Sequence, residues 1–310
     1  MSLKGRQQKA KHTRIKGKPG RVIGTVGRRV LVRDSQGERV CYLSGQRAVI
    51  GDLVRWEDAP GSGGKLLGVE KRQTVLRRRD LQGKERILAA NLRGIVVVSS
   101  PRSPDFDSML IDRYIVAANA AGLDVHICIN KIDLGQMDCV TPYLREREAL
   151  GYKVFSVSAK SAETLVEFER FLQTNSGQES GPLALVGLSG VGKTSLLAAL
   201  LPGQDVGPIG ELSSYWDQGQ HTTTGSRLFE LEGGGELVDS PGIRTFSPSG
   251  LEPGEVSTYF PGFSELQCQF RDCMHQKGQK GCVAEERLSE NTLRGYRRLI
   301  EFLEKQSTPY

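Results

Sequence analysis

Residues 187–195 read Gly-Leu-Ser-Gly-Val-Gly-Lys-Thr-Ser, between the apolar run LALV and the helix-forming run LLAALL. This G-x-x-x-x-G-K-[ST] loop constrains the fold more than any other feature of the chain. Such a loop needs a buried strand that turns at once into a helix, so that backbone N–H groups converge on phosphate oxygens at the helix N-terminus. Gly187, Gly190 and Gly192 permit that turn, with Leu188, Ser189, Val191 and Ser195 completing the cradle. Lys193 is expected to reach β- and γ-phosphates, and Thr194 to ligate Mg²⁺.

The surrounding pattern supplies the sheet. ILAANLRGIVVVSS, VHICIN, VFSVSA and LALV are buried-strand runs, and LIDRYIVAANAAG is a helix. Continuous apolar strands alternating with helices predict an α/β unit with a parallel sheet covered on both faces. Upstream, RVIGTVGRRVLVRD, ERVCYLSG and GDLVRWED alternate apolar and polar residues between Gly and Asp turn signals, which predicts a small β-barrel. Downstream, Leu293, Tyr296, Leu299, Ile300 and Leu303 recur at helical spacing. The expected division is a tail over 1–20, a barrel over 21–87, the P-loop unit over 88–248 and a C-terminal unit over 249–310. A chain of 310 residues accommodates several such units.

Charge is unevenly placed. Residues 1–21 carry eight Lys/Arg and no acid, leaving 34 basic against 36 acidic residues in the remainder. The tail is either a nucleic-acid arm or a solvated extension. A second basic stretch holds Lys71, Arg72, Arg77, Arg78 and Arg79. If the barrel binds RNA, these charges are better candidates than Tyr42 and Trp56, since aromatics on a small barrel belong more often to its core. Arg294, Arg297 and Arg298 form either a further RNA contact or a solvated face. No apolar run reaches the ~18 residues of a membrane helix, and MSLKGRQQKAKHTRIKGKPGR has no signal-peptide apolar region. No membrane association and a cytoplasmic location are expected.

Base specificity is read from Asn130-Lys131-Ile132-Asp133, which closes the run VHICI at the edge of the sheet where α/β folds bind ligands. Asp133 can accept from guanine N1–H and the exocyclic amine, whereas adenine would leave the carboxylate unpaired. The stem of Lys131 can lie along the base, and Asn130 can tie this loop to the P-loop. Ser158-Ala159-Lys160 ends the next strand, where a backbone N–H can meet guanine O6. Together they favour GTP over ATP. Downstream, Asp239-Ser240-Pro241-Gly242 follows the short strand ELV; Asp239 would hold Mg²⁺ and the Gly242 N–H would sense the γ-phosphate. Between them GQHTTT offers Thr223 as a further Mg²⁺ ligand, with Thr222 and Thr224 as alternatives.

GTPases usually run P-loop, switch Thr, D-x-x-G, N-K-x-D, S-A-K. Here the last two come first, so the set is complete but circularly permuted. A separate cluster reads C-x₄-C-x-H-x₆-C from Cys268, Cys273, His275 and Cys282. Three thiolates and an imidazole make a closed tetrahedral structural zinc site.

In these features the chain resembles the small-subunit-dependent, circularly permuted GTPases of the RsgA family over residues 20–305. The resemblance is carried by the barrel followed by ILAANLRGIVVV, by IDRY before NKID, and by HTTT, DSPGIR and the Cys/His cluster. It implies an OB-fold, a permuted GTPase domain and a helical zinc-binding domain, with one zinc, GTP or GDP, and magnesium bound. It also implies GTP hydrolysis stimulated by the small ribosomal subunit and its rRNA late in maturation; a monomer is expected. The chain departs from the family at Arg93, where members commonly have Asp, and at Gly250, where some carry a histidine. Ile243 stands where a water-positioning glutamine is usual, and the His275-to-Cys282 gap is one residue longer. Weak intrinsic hydrolysis follows, and an alternative is an rRNA-binding module that uses the nucleotide as a structural switch. A P-loop kinase or ATPase is disfavoured by NKID.

Overall fold

The computed structural model describes residues 15–43, 45, 47–60, 63–79, 84–177, 180–204, 206, 226–239 and 251–307. Strands β1 (Lys18–Val26), β2 (Arg29–Asp34), β3 (Gly37–Tyr42), β4 (Leu53–Asp58) and β5 (Gly64–Val69) pair in the order β1-β2-β3-β5-β4. Strand β4 returns to pair with β1, closing the five-stranded barrel expected from the alternating pattern. Period-two alternation fills it: Val30 and Val32 point inward with Val22, Val54 and Leu66, while Arg29 and Arg33 flank them. Trp56 is wholly buried, whereas Tyr42 is 55% exposed, so the two aromatics have opposite fates. Arg72 is not a free basic group: its guanidinium grips the buried Asp52 carboxylate with two hydrogen bonds of 2.6 and 2.8 Å.

Strands β6 (Val75–Arg79) and β7 (Glu85–Ala90) form a separate antiparallel hairpin, so the break expected between 87 and 88 falls within β7. Asn91 follows it in a left-handed conformation. Its side chain accepts from the Gln73 N–H and donates to the Gly51 carbonyl, tying hairpin to barrel.

The second sheet runs β10 (Lys153–Ser156), β9 (Asp124–Ile129), β8 (Gly94–Ser99), β11 (Leu183–Val186), β13 (Glu236–Asp239), β12 (Ser226–Glu230). All neighbours are parallel except β13 and β12. Every residue of β8 and β11 is buried, as strands covered on both faces require. On one face Ile95, Val97 and Ile127 pack against α1 (Ser108–Ala120) and α2 (Thr141–Ala149). On the other, Val96, Val98 and Cys128 pack against α3 (Ala162–Asn175) and α4 (Lys193–Leu200). Burial drives the Cys128 thiol pKa upward, which keeps it an inert core group.

The C-terminal unit packs α5 (Val256–Tyr259), α6 (Ala284–Arg287) and α7 (Glu290–Ser307) into a small core. The stripe Leu293, Tyr296, Leu299, Ile300 and Leu303 lies inside, as its spacing predicts. Val116 of α1 joins the same core, so one helix serves two units. The first residues of β12 also pair with β1, at Gly24↔Arg227 and Thr25↔Ser226, which makes the barrel and the α/β sheet continuous. No described helix is long and apolar enough to cross a membrane.

Candidate functional site

Three loops converge at the carboxyl edge of the parallel strands: 187–192 after β11, 130–133 after β9 and 158–160 after β10. The first turns β11 into α4 as the glycine spacing requires. Gly187 and Gly192 both have positive φ, and a Cβ on them would stand 2.1 Å from the Val98 carbonyl oxygen and 2.3 Å from Asn130 Nδ2. Glycine alone lets the loop press so close to its neighbours. Lys193 leads α4 with its ammonium inside the loop, donating to the carbonyls of Gly187 (2.9 Å) and Leu188 (2.6 Å). Leu188, Ser189, Gly190, Thr194 and Ser195 are solvent-accessible around it, and Val191 anchors the loop in the core.

Asn130 is 1% exposed and joins all three loops. Its Nδ2 donates to the Val191 carbonyl at 2.9 Å, and its Oδ1 accepts from the Ala159 N–H at 3.1 Å. Lys131, in a left-handed conformation, donates to the carbonyls of Ser103 and Gly190, both at 2.5 Å, and so spans the mouth of the P-loop. Asp133 accepts from Ser158 Oγ (2.7 Å) and Lys160 Nζ (3.3 Å). The Ser158 hydroxyl holds its carboxyl pKa below the usual value, so Asp133 is an anion with one edge fixed by the protein. The separate sequence motifs thus form one hydrogen-bonded assembly.

Asp239 ends β13, the strand beside the P-loop strand, and so lies at the same edge. Thr222, Thr223, Thr224, Gly242, Ile243 and Gly250 lie outside the described residues, as does the tail over 1–14.

The sequence Ile111-Asp112-Arg113-Tyr114 carries more than its helical pattern discloses. Asp112 accepts from Arg147 Nη2 and the Tyr143 hydroxyl, each at 2.7 Å, in a fully buried cluster. Arg147 also reaches Thr292 of α7 at 3.4 Å. The Arg113 guanidinium stacks 4.1 Å over Phe302. Tyr114 lies beneath the P-loop, its hydroxyl pKa pushed up to about 12 by burial and eased by the Gly187 backbone. Charged residues inside an apolar helical stripe were the available signal.

In the C-terminal unit the ligand atoms of Cys268, Cys273, His275 and Cys282 all lie within 4.8 Å of one another. Cys268 Sγ and Cys282 Sγ stand 3.6 and 3.5 Å from His275 Nδ1, and 3.9 Å from each other. A tetrahedron with metal–sulfur bonds of ~2.3 Å and a metal–nitrogen bond of ~2.0 Å has edges of about this length. The donor set is therefore shaped for a single ion, with Nδ1 as the imidazole ligand. Phe263 and Tyr296 pack edge-on against the His275 ring and fix its plane.

A family model described as RsgA GTPase matches residues 69–248, more than half the chain. The chain belongs to the RsgA GTPase family. As a member it is a GTP hydrolase with circularly permuted motifs. The Small ribosomal subunit biogenesis GTPase RsgA of Azotobacter vinelandii is 37% identical over 290 residues, covering 90% of this chain and 82% of that protein. Its counterpart in Pseudomonas fluorescens is 38% identical over 307 residues, covering 93% and 86%. The crystal structure of YjeQ from Thermotoga maritima superposes with a TM-score of 0.72 at 26% identity, covering 93% of this chain and 98% of that one. YloQ, described as a circularly permuted GTPase, shares the fold with a TM-score of 0.70 at 22% identity, covering 97% and 100%.

Proposed function

We propose that this chain hydrolyses GTP on the small ribosomal subunit and serves there, in the cytoplasm, as a late assembly factor that contacts rRNA. The observation that carries this reading is the Asn130 bridge, which fastens a guanine-selective loop to a phosphate loop within a fold of the RsgA family. The relatives' names supply the ribosomal subunit.

In this reading the Asp133 carboxylate accepts from N1–H and the exocyclic amine of guanine, and a backbone N–H of the Ser158–Lys160 loop would donate to O6. Gly187 to Ser195 wrap the phosphates with N–H groups, and Lys193 transfers its ammonium from two carbonyls to phosphate oxygens. Thr194, Thr223 and Asp239 would hold Mg²⁺, which neutralises charge developing on the phosphates; Gly242 would donate to the γ-phosphate. Cys268, Cys273, His275 and Cys282 would hold one structural zinc. Burial pushes the Cys273 thiol up to about 11 and the His275 imidazole down. A bound cation takes thiolate and neutral imidazole, so it offsets the first cost and uses the second.

Ile243 and Gly250 leave the chain without the glutamine and histidine that would orient water, so turnover alone is expected to be slow. A missing transition-state group is worth ~10³–10⁵ in rate, a gap the ribosome can fill. The test is GTP and ATP hydrolysis with and without purified small subunits. GTP-selective turnover that rises with subunits and vanishes in Lys193→Ala supports the reading. Equal turnover with and without subunits, unaffected by Lys193→Ala, leaves the chain an RNA-binding module with nucleotide as a structural switch.

A further inference from the structure

The barrel grips the β12–β13 hairpin at both ends. Near the nucleotide edge the grip is the short ladder Gly24↔Arg227 and Thr25↔Ser226. At the far end it is two ion pairs: Arg21 Nη1 to Glu236 Oε2 at 2.6 Å and Arg33 Nη1 to Glu230 Oε2 at 3.0 Å. Glu230 and Glu236 are themselves cross-strand partners, so β1 and β2 hold both strands where the hairpin turns.

Of these contacts the Arg21–Glu236 pair is the buried one, with side chains 16% and 3% exposed. The Glu236 backbone N–H also donates to Ser176 Oγ at 2.9 Å, and Ser176 Oγ donates to the Leu172 carbonyl at the end of α3. Glu236 is thus fixed from the barrel on one side and from α3 on the other. An ion pair is a poor way to gain net stability at an interface, because desolvation offsets most of its attraction; what the structure shows here is a short, buried contact that ties the first barrel strand to Glu236.

That contact bears on the hydrolytic edge. Strand β13 runs from Glu236 to Asp239, and Asp239 lies directly across from Arg227, which lies directly across from Gly24 of the barrel. Two strand spacings, ~10 Å, separate the barrel strand from the aspartate. A two-residue ladder by itself is a hinge. With the far end pinned by Arg21 and Arg33, a rotation of the barrel becomes a rotation of β13 and displaces Asp239.

We propose that Arg21 is a positioning residue for GTP hydrolysis: through Glu236 it couples the orientation of the barrel to the position of Asp239, so that docking of the barrel on RNA sets the stimulated rate. This rests on the function proposed above. Arg21 acts through another residue and touches neither nucleotide nor metal site.

The test compares four full-length proteins, unmodified, Arg21→Ala, Glu236→Gln and the charge-reversed pair Arg21→Glu/Glu236→Arg. Each is assayed for GTP affinity, hydrolysis without subunits and hydrolysis with saturating small subunits. In Arg21→Ala and Glu236→Gln the subunit-stimulated kcat is expected to fall about tenfold, as ~1.4 kcal/mol in barrier height produces. Affinity and unstimulated turnover are expected to stay within about twofold, and the reversed pair to regain part of the stimulation. Full stimulation in both single variants overturns the proposal, and so does an equal loss in stimulated and unstimulated rates, which marks a merely structural contact. Absence of stimulation in the unmodified protein overturns the ribosomal reading itself, and this proposal with it.

Discussion

Asp112 of α1 and Arg147 of α2 meet at 2.7 Å with side chains 2% and 1% exposed, beneath α7 of the C-terminal unit. Burial raises the Asp112 carboxyl pKa, and the guanidinium beside it pulls it back toward the ionised form. Neither charge has water to fall back on. Removing one partner leaves the other buried and uncompensated, a loss of about 3–5 kcal/mol. Asp112→Ala and Arg147→Ala are each expected to lower the urea midpoint accordingly. The double variant Asp112→Leu/Arg147→Met removes both charges and is expected to lose less than either single change. A loss below about 1 kcal/mol in the single variants would contradict this account.

Gly295 sets the clearance around the same pair. A Cβ there would stand 2.6 Å from Asp112 Oδ2, so Gly295→Ala forces the carboxylate away from α7. The expected cost is about 1–3 kcal/mol, as for overpacking elsewhere, despite the better helix propensity of alanine. Thermal unfolding decides it: a rise in Tm would show that α7 shifts freely.

Guanine selection should follow Asp133. Asp133→Asn replaces an acceptor-only edge with one that also presents N–H groups, and so forfeits two charge-assisted hydrogen bonds. At ~1.5–3 kcal/mol each, affinity for GDP is expected to fall about 10²–10⁴-fold. Xanthine carries a carbonyl where guanine carries the amine, so the variant should prefer xanthosine diphosphate. Equilibrium titration with labelled nucleotides reads both effects. Unchanged GDP affinity would show that the base sits elsewhere.

The parallel sheet, the barrel, the C-terminal helix and the convergence of the three nucleotide loops were legible because each rests on a short-range signal: glycine spacing, apolar runs or helical period. The Cys/His cluster was legible because its thiols crowd within a few residues. What could not be read were contacts whose partners are far apart in the chain and ordinary in type. Arg72 looked like part of a basic patch, yet it belongs to Asp52, twenty residues upstream and wholly buried. Arg147 and Arg21 look like surface charges in sequence, because only the fold brings Asp112 and Glu236 beside them. The β1–β12 ladder is equally silent, since a strand edge carries no mark of which distant strand will pair with it.

Zinc should be stoichiometric and structural. Cys273→Ser and Cys282→Ser each remove one corner of a closed four-ligand site, so metal content is expected to fall from one zinc per chain to a small fraction of that. Because the Phe263–Tyr296–His275 cluster leans on the site, the C-terminal core should loosen with it, and limited proteolysis should cut near residues 268–282 first. Chelation of the unmodified protein should reproduce the pattern. Retention of zinc in both variants would move the ligand set elsewhere.

His126 should give the fold an acid limb. It lies on β9 against the Phe171 ring, 4.6 Å between centroids, with Lys153 and Val96 as cross-strand neighbours. Burial holds its pKa down to about 4; Asp124 opposes that shift, and Arg93 and Lys153 add to it. Above about pH 6.5 the imidazole is neutral in both the folded and the unfolded chain, and no proton uptake accompanies unfolding. Between about 6.5 and 4 the unfolded chain binds a proton that the folded one refuses, so stability falls as the pH drops through that window and levels off below it. His126→Phe keeps the ring contact and removes the titration. The difference in unfolding free energy between the two proteins should therefore be constant above pH 6.5 and shift in favour of the variant as the pH approaches 4. Parallel stability curves across that range would show that the folded state admits the proton as readily as the unfolded one.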